Sequence, residues 1–163
     1  MSTPLEVIGT FDGGSAVAKC DRVLITVYTR RAPLAYLDVA QEAGRALGKT
    51  YPKRVLSFTL AVDGAGLPAS DFRAKAETNM RESDAWIQAG AMVIGGSGFW
   101  ASAARSVITG FIRVSSGPTH RAFGDVPGAL SFLETVGGLS PEVSAALRPW
   151  ATEVMNGRVL HVG

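Results

Sequence analysis

Apolar and polar positions along this chain change period several times, and each change marks an element. Leu5–Thr10 is a short apolar run ahead of Asp12-Gly13-Gly14, a hairpin-turn signal. Ser15–Lys19 alternates enough to pair back, and Cys20-Asp21 reads as a second turn. Arg22–Thr29, with Val23, Ile25 and Val27 set against Leu24, Thr26 and Tyr28, is the strongest strand of the N-terminal third. Three strands in succession predict an antiparallel meander.

The period then lengthens. Pro33 suits the first position of a helix, with Leu34, Leu37, Ala40, Ala43 or Gly44, and Leu47 as its buried face and Gly48 as its stop. Val55–Val62 carries no charge and is β-branched and aromatic enough to predict a central strand buried on both sides. Beyond the loop Asp63–Pro68, Ser70-Asp71 begins a helix with Phe72, Ala76, Met80, Ser83 and Ile87 inward. Arg73, Lys75, Glu77, Arg81, Glu82 and Asp84 form its solvated face.

Ala91–Ile94 is a short apolar run that ends in Gly95-Gly96-Ser97-Gly98, which predicts a strand and a turn. Phe99, Ala103, Val107 and Phe111, flanked by Trp100, Ala104, Ile108 and Ile112, then predict a helix over Phe99–Ile112 that is apolar nearly all round. Ser115-Ser116-Gly117-Pro118 ends it, and Thr119–Phe123 reads as a strand. Asp125-Val126-Pro127 starts a helix with Ala129, Leu130, Leu133 and Val136 inward, and Gly137-Gly138 stops it. Ser140-Pro141 caps a last helix with Val143, Leu147, Trp150 and Val154 inward, which Pro149 should kink or split. The fold class expected is α/β, a mixed sheet of about five strands with helices packed on it. Residues 1–136 form the domain and 137–163 a C-terminal helical extension of it.

Composition narrows this picture only a little. A chain of 163 residues, 47% hydrophobic and 18% charged, suits one globular domain without staples. The net charge of +2 is spread out, so no basic stripe points to nucleic acid. Cys20 stands alone, and His120 and His161 lie far apart without clustered carboxylates, so no disulfide framework, metal site or cofactor is expected. The stretch Ala85–Ala104 has no charge, yet four glycines, two serines and Gln88 interrupt it, so no membrane span is expected. The first residues lack a basic region followed by an apolar core, and a cytoplasmic location is the expectation.

Three places in the chain carry a resemblance. Val55–Val62 followed by Asp63, Met92-Val93-Ile94-Gly95-Gly96-Ser97 with Arg105 after it, and His120-Arg121-Ala122-Phe123 followed by Val126–Leu133 occur in the order found in STAS-type domains. From Leu5 to Val136 the chain resembles this anti-sigma-factor-antagonist-like superfamily of small bacterial domains. The resemblance implies a regulatory, signalling protein that binds another protein, sometimes under control of serine phosphorylation. It makes Ser70, with Asp63 before it, the regulatory candidate, although Pro68-Ala69-Ser70-Asp71 departs from the Asp-Ser-Ser-Gly pattern of that group. The residues themselves give a plainer reading of Ser70, as the N-cap of the helix.

Other candidates come from the residues alone. Gly96, Ser97 and Gly98 fit a loose dinucleotide fingerprint, but no acidic residue follows before Asp125, so a tight turn with at most anion affinity is the better reading. Phe99, Trp100, Ile108, Ile112 and Trp150 exceed what one sheet face can bury, which predicts an interaction or ligand surface. No nucleophile, base and acid assemble in the sequence, so an enzyme is not expected. Two functions follow: a non-enzymatic module with an unidentified protein partner, or a carrier of a small apolar ligand in a pocket between the sheet and helix 99–112. A symmetric homodimer through the apolar helices is a further expectation, with packing of the C-terminal helix over helix 99–112 as its rival.

Overall fold

The computed structural model describes residues 4–62, 65, 68–96, 102, 105, 106, 109, 110 and 119–158. Six strands form one mixed sheet in sequence order: β1 (Glu6–Thr10), β2 (Ala16–Cys20), β3 (Val23–Tyr28), β4 (Val55–Ala61), β5 (Ile87–Ile94) and β6 (Thr119–Phe123). The sheet thus has six strands rather than about five. β1, β2 and β3 pair antiparallel as the expected meander, and β3 to β6 run parallel. A single 3-10 turn at Asp12–Gly14 joins β1 to β2, with Gly13 at φ 81° beneath the Arg31 side chain.

Four helices complete the described architecture: α1 (Leu34–Thr50), α2 (Ser70–Ser83), α3 (Val126–Gly137) and α4 (Pro141–Met155). The right-handed crossovers of parallel strands put α1 and α2 on one face of the sheet. α3 and α4 cover the other face. There Val143, Leu147, Ala151 and Val154 join Leu130 and Leu133 over Leu56, Phe58 and Leu60 in one core. The C-terminal helix is therefore part of the same core as the sheet. No helix among the described residues is long and apolar enough to cross a membrane.

Local chemistry sets several boundaries where the sequence puts them. The Asp125 carboxylate accepts from Gly128 N at 2.7 Å, Ser140 Oγ accepts from Val143 N at 3.3 Å, and Gly138 closes α3 in the left-handed region at φ 68°.

Tertiary contacts move others. Gly48 does not stop α1, which runs on to Thr50, and Pro33 is its N-cap rather than its first residue. Gly44 and Gly48 instead form a notch for Trp86: a Cβ at Gly44 would lie 2.1 Å from Trp86 Cη2, and one at Gly48 would lie 2.7 Å from Trp86 Cβ. Ile87 belongs to β5, opposite Val55, because α2 already ends at Ser83. β5 is correspondingly longer than the short strand Ala91–Ile94.

Pro149 does not split α4. The buried residues Leu147, Ala151 and Val154 hold the helix on the core across the missing hydrogen bond. Leu34 and Val136, expected inward, are 41% and 44% exposed, while Tyr36 and Phe132 take the inward positions.

Candidate functional site

A site on this fold has to begin from the register of the parallel strands. Ile25, Phe58 and Ala91 lie side by side on the α3–α4 face, as do Val27, Leu60 and Val93, and all six are sealed from solvent. On the α1–α2 face the corresponding rows are Leu24–Ser57–Gly90–His120 and Thr26–Thr59–Met92–Ala122. In these rows Ser57, Thr59, Met92, His120 and Ala122 are only half-buried, although β4 and β5 are interior strands. α2 accounts for part of that opening. It rests mainly on α1 rather than on the strands, and Ser83 is its only fully buried residue. The middle of the sheet is thus sealed on the α3–α4 face and only half-buried at these small and polar positions on the other.

These residues are ordered by a few contacts. Thr26 and Thr59 share a hydroxyl–hydroxyl hydrogen bond of 2.8 Å. The Tyr36 phenol sits beside Thr26, and its burial pushes its pKa well above the ordinary value. The His120 ring lies over Gly90: a Cβ there would come within 2.3 Å of His120 Nδ1 and 2.8 Å of Cε1. Glycine is therefore required at position 90 for the imidazole to lean inward. His120 Nε2 is buried without a hydrogen-bond partner. Burial lowers the His120 pKa below its ordinary value, and the Asp84 charge opposes that shift in part, so the neutral imidazole is favoured.

An aromatic cluster closes this face at the carboxyl end of β3. Tyr36 stacks on Phe72 at 6.2 Å, Tyr28 meets Phe72 at 5.5 Å, and Phe11 meets Tyr36 edge-on at 5.9 Å. Phe72 thereby fixes the first turn of α2, where Ser70 stands exposed. Ser70 is not the N-cap expected of it. That position belongs to Ala69, which offers no side-chain hydrogen bond, and Ser70 is the first helical residue. Asp71 instead accepts from Phe72 N at 2.8 Å.

The remaining sequence candidates divide into those the structure describes and those it does not. Gly96 is exposed with φ 88°, as a glycine turn after β5 requires. Asp63, Ser97, Gly98, Phe99, Trp100, Ile108 and Ile112 lie outside the described residues. Ser102, Arg105, Ser106, Thr109 and Gly110 are helical and all exposed. These five border a shallow depression of about 440 Å³. Its serine and threonine hydroxyls turn back on their own helix, Ser106 to Ser102 O at 3.2 Å and Thr109 to Arg105 O at 2.8 Å. The Arg105 guanidinium stands beside Gly124, 3.9 Å from where a Cβ there would be. Trp150 is half-buried against the core under α3 and α4, with its indole N–H buried and unpartnered.

Sequence reasoning missed Ser57, Gly90 and His120 as a group, and it missed Arg22. Arg22 is 6% exposed. It donates to Arg54 O at 2.5 Å, Gly137 O at 2.6 Å and Gln88 Oε1 at 3.1 Å, at the end of the sheet away from Ser70. Desolvation lowers its pKa, with Arg54 adding to the shift and Asp21 opposing it. Among the described residues no cluster of three His, Cys, Asp or Glu could hold a metal ion. No protein family, curated protein or solved structure matches the chain.

Proposed function

We propose that the chain is a non-enzymatic binding protein that holds a small molecule against the α1–α2 face of its sheet. One observation carries this reading. The interior strands β4 and β5 are only half-buried on that face at Ser57, Thr59 and Met92, while their other face is closed. A strand in the middle of a sheet ordinarily loses its water on both sides, and an opening lined by a few polar groups is what small-molecule sites share. The polar positions also change the ligand expected, from an apolar molecule to one with a polar end. Native mass spectrometry of gently purified protein should reveal a bound mass. Only apo protein, together with no binding across a ligand screen, would overturn the proposal.

A second reading rests on Ser70. Its hydroxyl is exposed at the head of α2, where no side chain caps the helix. A phosphate there would add roughly −1.5 to −2 charge at the positive end of the helix dipole. That supports a regulatory protein of the STAS-like kind whose partner reads the phosphorylation state. Pull-down with Ser70→Asp and Ser70→Ala should then recover different partners, and identical recovery with both would count against it. The homodimer expectation is tested by sedimentation at tens of micromolar. There a monomer, with Trp150→Asp destabilised, would leave Trp150 to the protein's own core.

A further inference from the structure

We propose that α2 is a flap that swings away as a unit while the sheet, α1, α3 and α4 stay in place, pivoting at Ser83–Trp86 and latched at its head by Phe72. This device goes beyond the small-molecule reading and stands without it.

The helices are held very unevenly. α1 sinks Tyr36, Leu37, Gln41, Gly44 and Leu47 into the fold, and α4 sinks Val143, Ser144, Leu147, Ala151 and Val154. Over a comparable length α2 sinks only Ser83, its last residue. Phe72, Ala76 and Met80, the apolar residues of its inner stripe, are half-buried. A segment with so little buried apolar surface opens at a fraction of the free energy needed to unfold the whole domain. Its ties to α1 are also of a kind that water replaces. Lys75 pairs with Asp38 and Glu82 with Arg45 at the surface, and Asn79 and the α1 residues Leu37 and Gln41 exchange side-chain to backbone hydrogen bonds.

The two ends of α2 differ. At the head, Ala69 gives no side-chain cap and Ser70 and Asp71 are exposed, so the grip is the Phe72 ring, stacked on Tyr36 and tilted against Tyr28. At the foot, Ser83 is buried and Trp86 fills the notch at Gly44 and Gly48, while the Trp86 carbonyl accepts from Val55 N at 3.3 Å. A helix of this length is a lever of about 20 Å, so a small rotation at the foot carries the head furthest. Opening uncovers Phe72, Ala76 and Met80 together with Tyr36 and Gln41 of α1, a mixed aromatic and polar surface hidden in the closed form.

The test is native-state hydrogen exchange on the full ¹⁵N-labelled chain. The amides from Ala74 to Arg81 should share one opening, with protection at least about 100-fold below that of β4 and α4 and little response to urea below the unfolding transition. Protection should return to the core level from Ala89 onward, past the pivot. Leu133→Ala should speed exchange in β4 and α4 by about 30-fold or more and leave α2 unchanged, because the core is intact when the flap opens. If that variant does not fold, the urea dependence of the native protein decides. Phe72→Ala should speed exchange in α2 by about 3- to 10-fold, the loss of its aromatic contacts. Amides of α2 that accelerate with those of α4 in Leu133→Ala, or share their urea dependence, overturn the flap. Exchange in α2 unchanged by Phe72→Ala overturns the latch, and protection lost through Ala89 overturns the pivot.

Discussion

On one face of the sheet, α3 and α4 press Leu130, Leu133, Leu147 and Ala151 onto Leu56, Phe58 and Leu60, all of them out of solvent. On the other, α1 and α2 meet through the stacked rings of Tyr36 and Phe72 and through several polar contacts. Lys75 pairs with Asp38 at 2.6 Å, Arg45 with Glu82 at 2.5 Å, and Gln41 donates to Asn79 O at 3.2 Å. The first face excludes water by interdigitating aliphatic side chains, which leaves no room for a ligand. The second is joined helix to helix and covers the strands less completely. Stability is concentrated on the closed face, and the candidate site lies on the open one, where cohesion is weaker.

The largest effect should come from cutting the closed face. Leu133→Ala removes a fully buried side chain, and urea unfolding should show a loss of about 2–5 kcal/mol. A loss under about 1 kcal/mol would mean that this face is not the stabilising one.

Gly44→Ala challenges the other face at its tightest point. The added methyl would collide with the Trp86 ring, and the helix gain of about 1 kcal/mol from replacing glycine does not offset it. A net destabilisation of about 1–3 kcal/mol is expected, with a shift in tryptophan emission.

Acid should act selectively on the open face. Because burial holds the His120 pKa below its unfolded value, the unfolded state takes up its proton first. The contribution of this residue is therefore neutral above the unfolded value of about 6.5, and stability falls as pH drops from there toward the folded value. Urea unfolding at pH 7.5 and pH 5 should show a drop that His120→Gln reduces, and an equal drop in both proteins would remove the effect.

The smallest change concerns the helix-to-helix ion pairs. A double-mutant cycle on Asp38 and Lys75 should give a coupling of about 0.2–1 kcal/mol that weakens with salt, because Asp38 is 64% exposed.

Much of the fold was legible because local chemistry decides it. Thr119–Phe123, the Asp125 and Ser140 caps and the Gly138 stop all follow from residues within a few positions of one another. The misplaced boundaries have distant causes. Gly48 reads as a stop until Trp86 fills the notch beside it, and Ile87 continues the stripe of α2 until Val55 claims it for the sheet.

The candidate site was less legible for the same reason. Ser57, Gly90 and His120 come together only through strand register, which no local window contains. Two signals were nevertheless present: the alternation of Ser57 and Thr59 within an otherwise apolar run, and a lone glycine inside β5. Ser70 was located correctly at the start of α2, but the capping position went to Ala69 because the helix begins one residue earlier than expected.

Arg22 has a consequence for the order in which the chain assembles. Its three acceptors, at Arg54, Gln88 and Gly137, are separated from it by 32, 66 and 115 positions. The full set of contacts is complete only when β4, β5 and the end of α3 have all arrived, so Arg22→Met is expected to give a φ-value near zero in folding and unfolding kinetics. Interactions absent from the transition state govern how fast a protein comes apart rather than how fast it forms. Arg22 is then a clasp on lifetime: its removal should hasten unfolding and leave the folding rate nearly unchanged, and an equal slowing of folding would show that the clasp closes early.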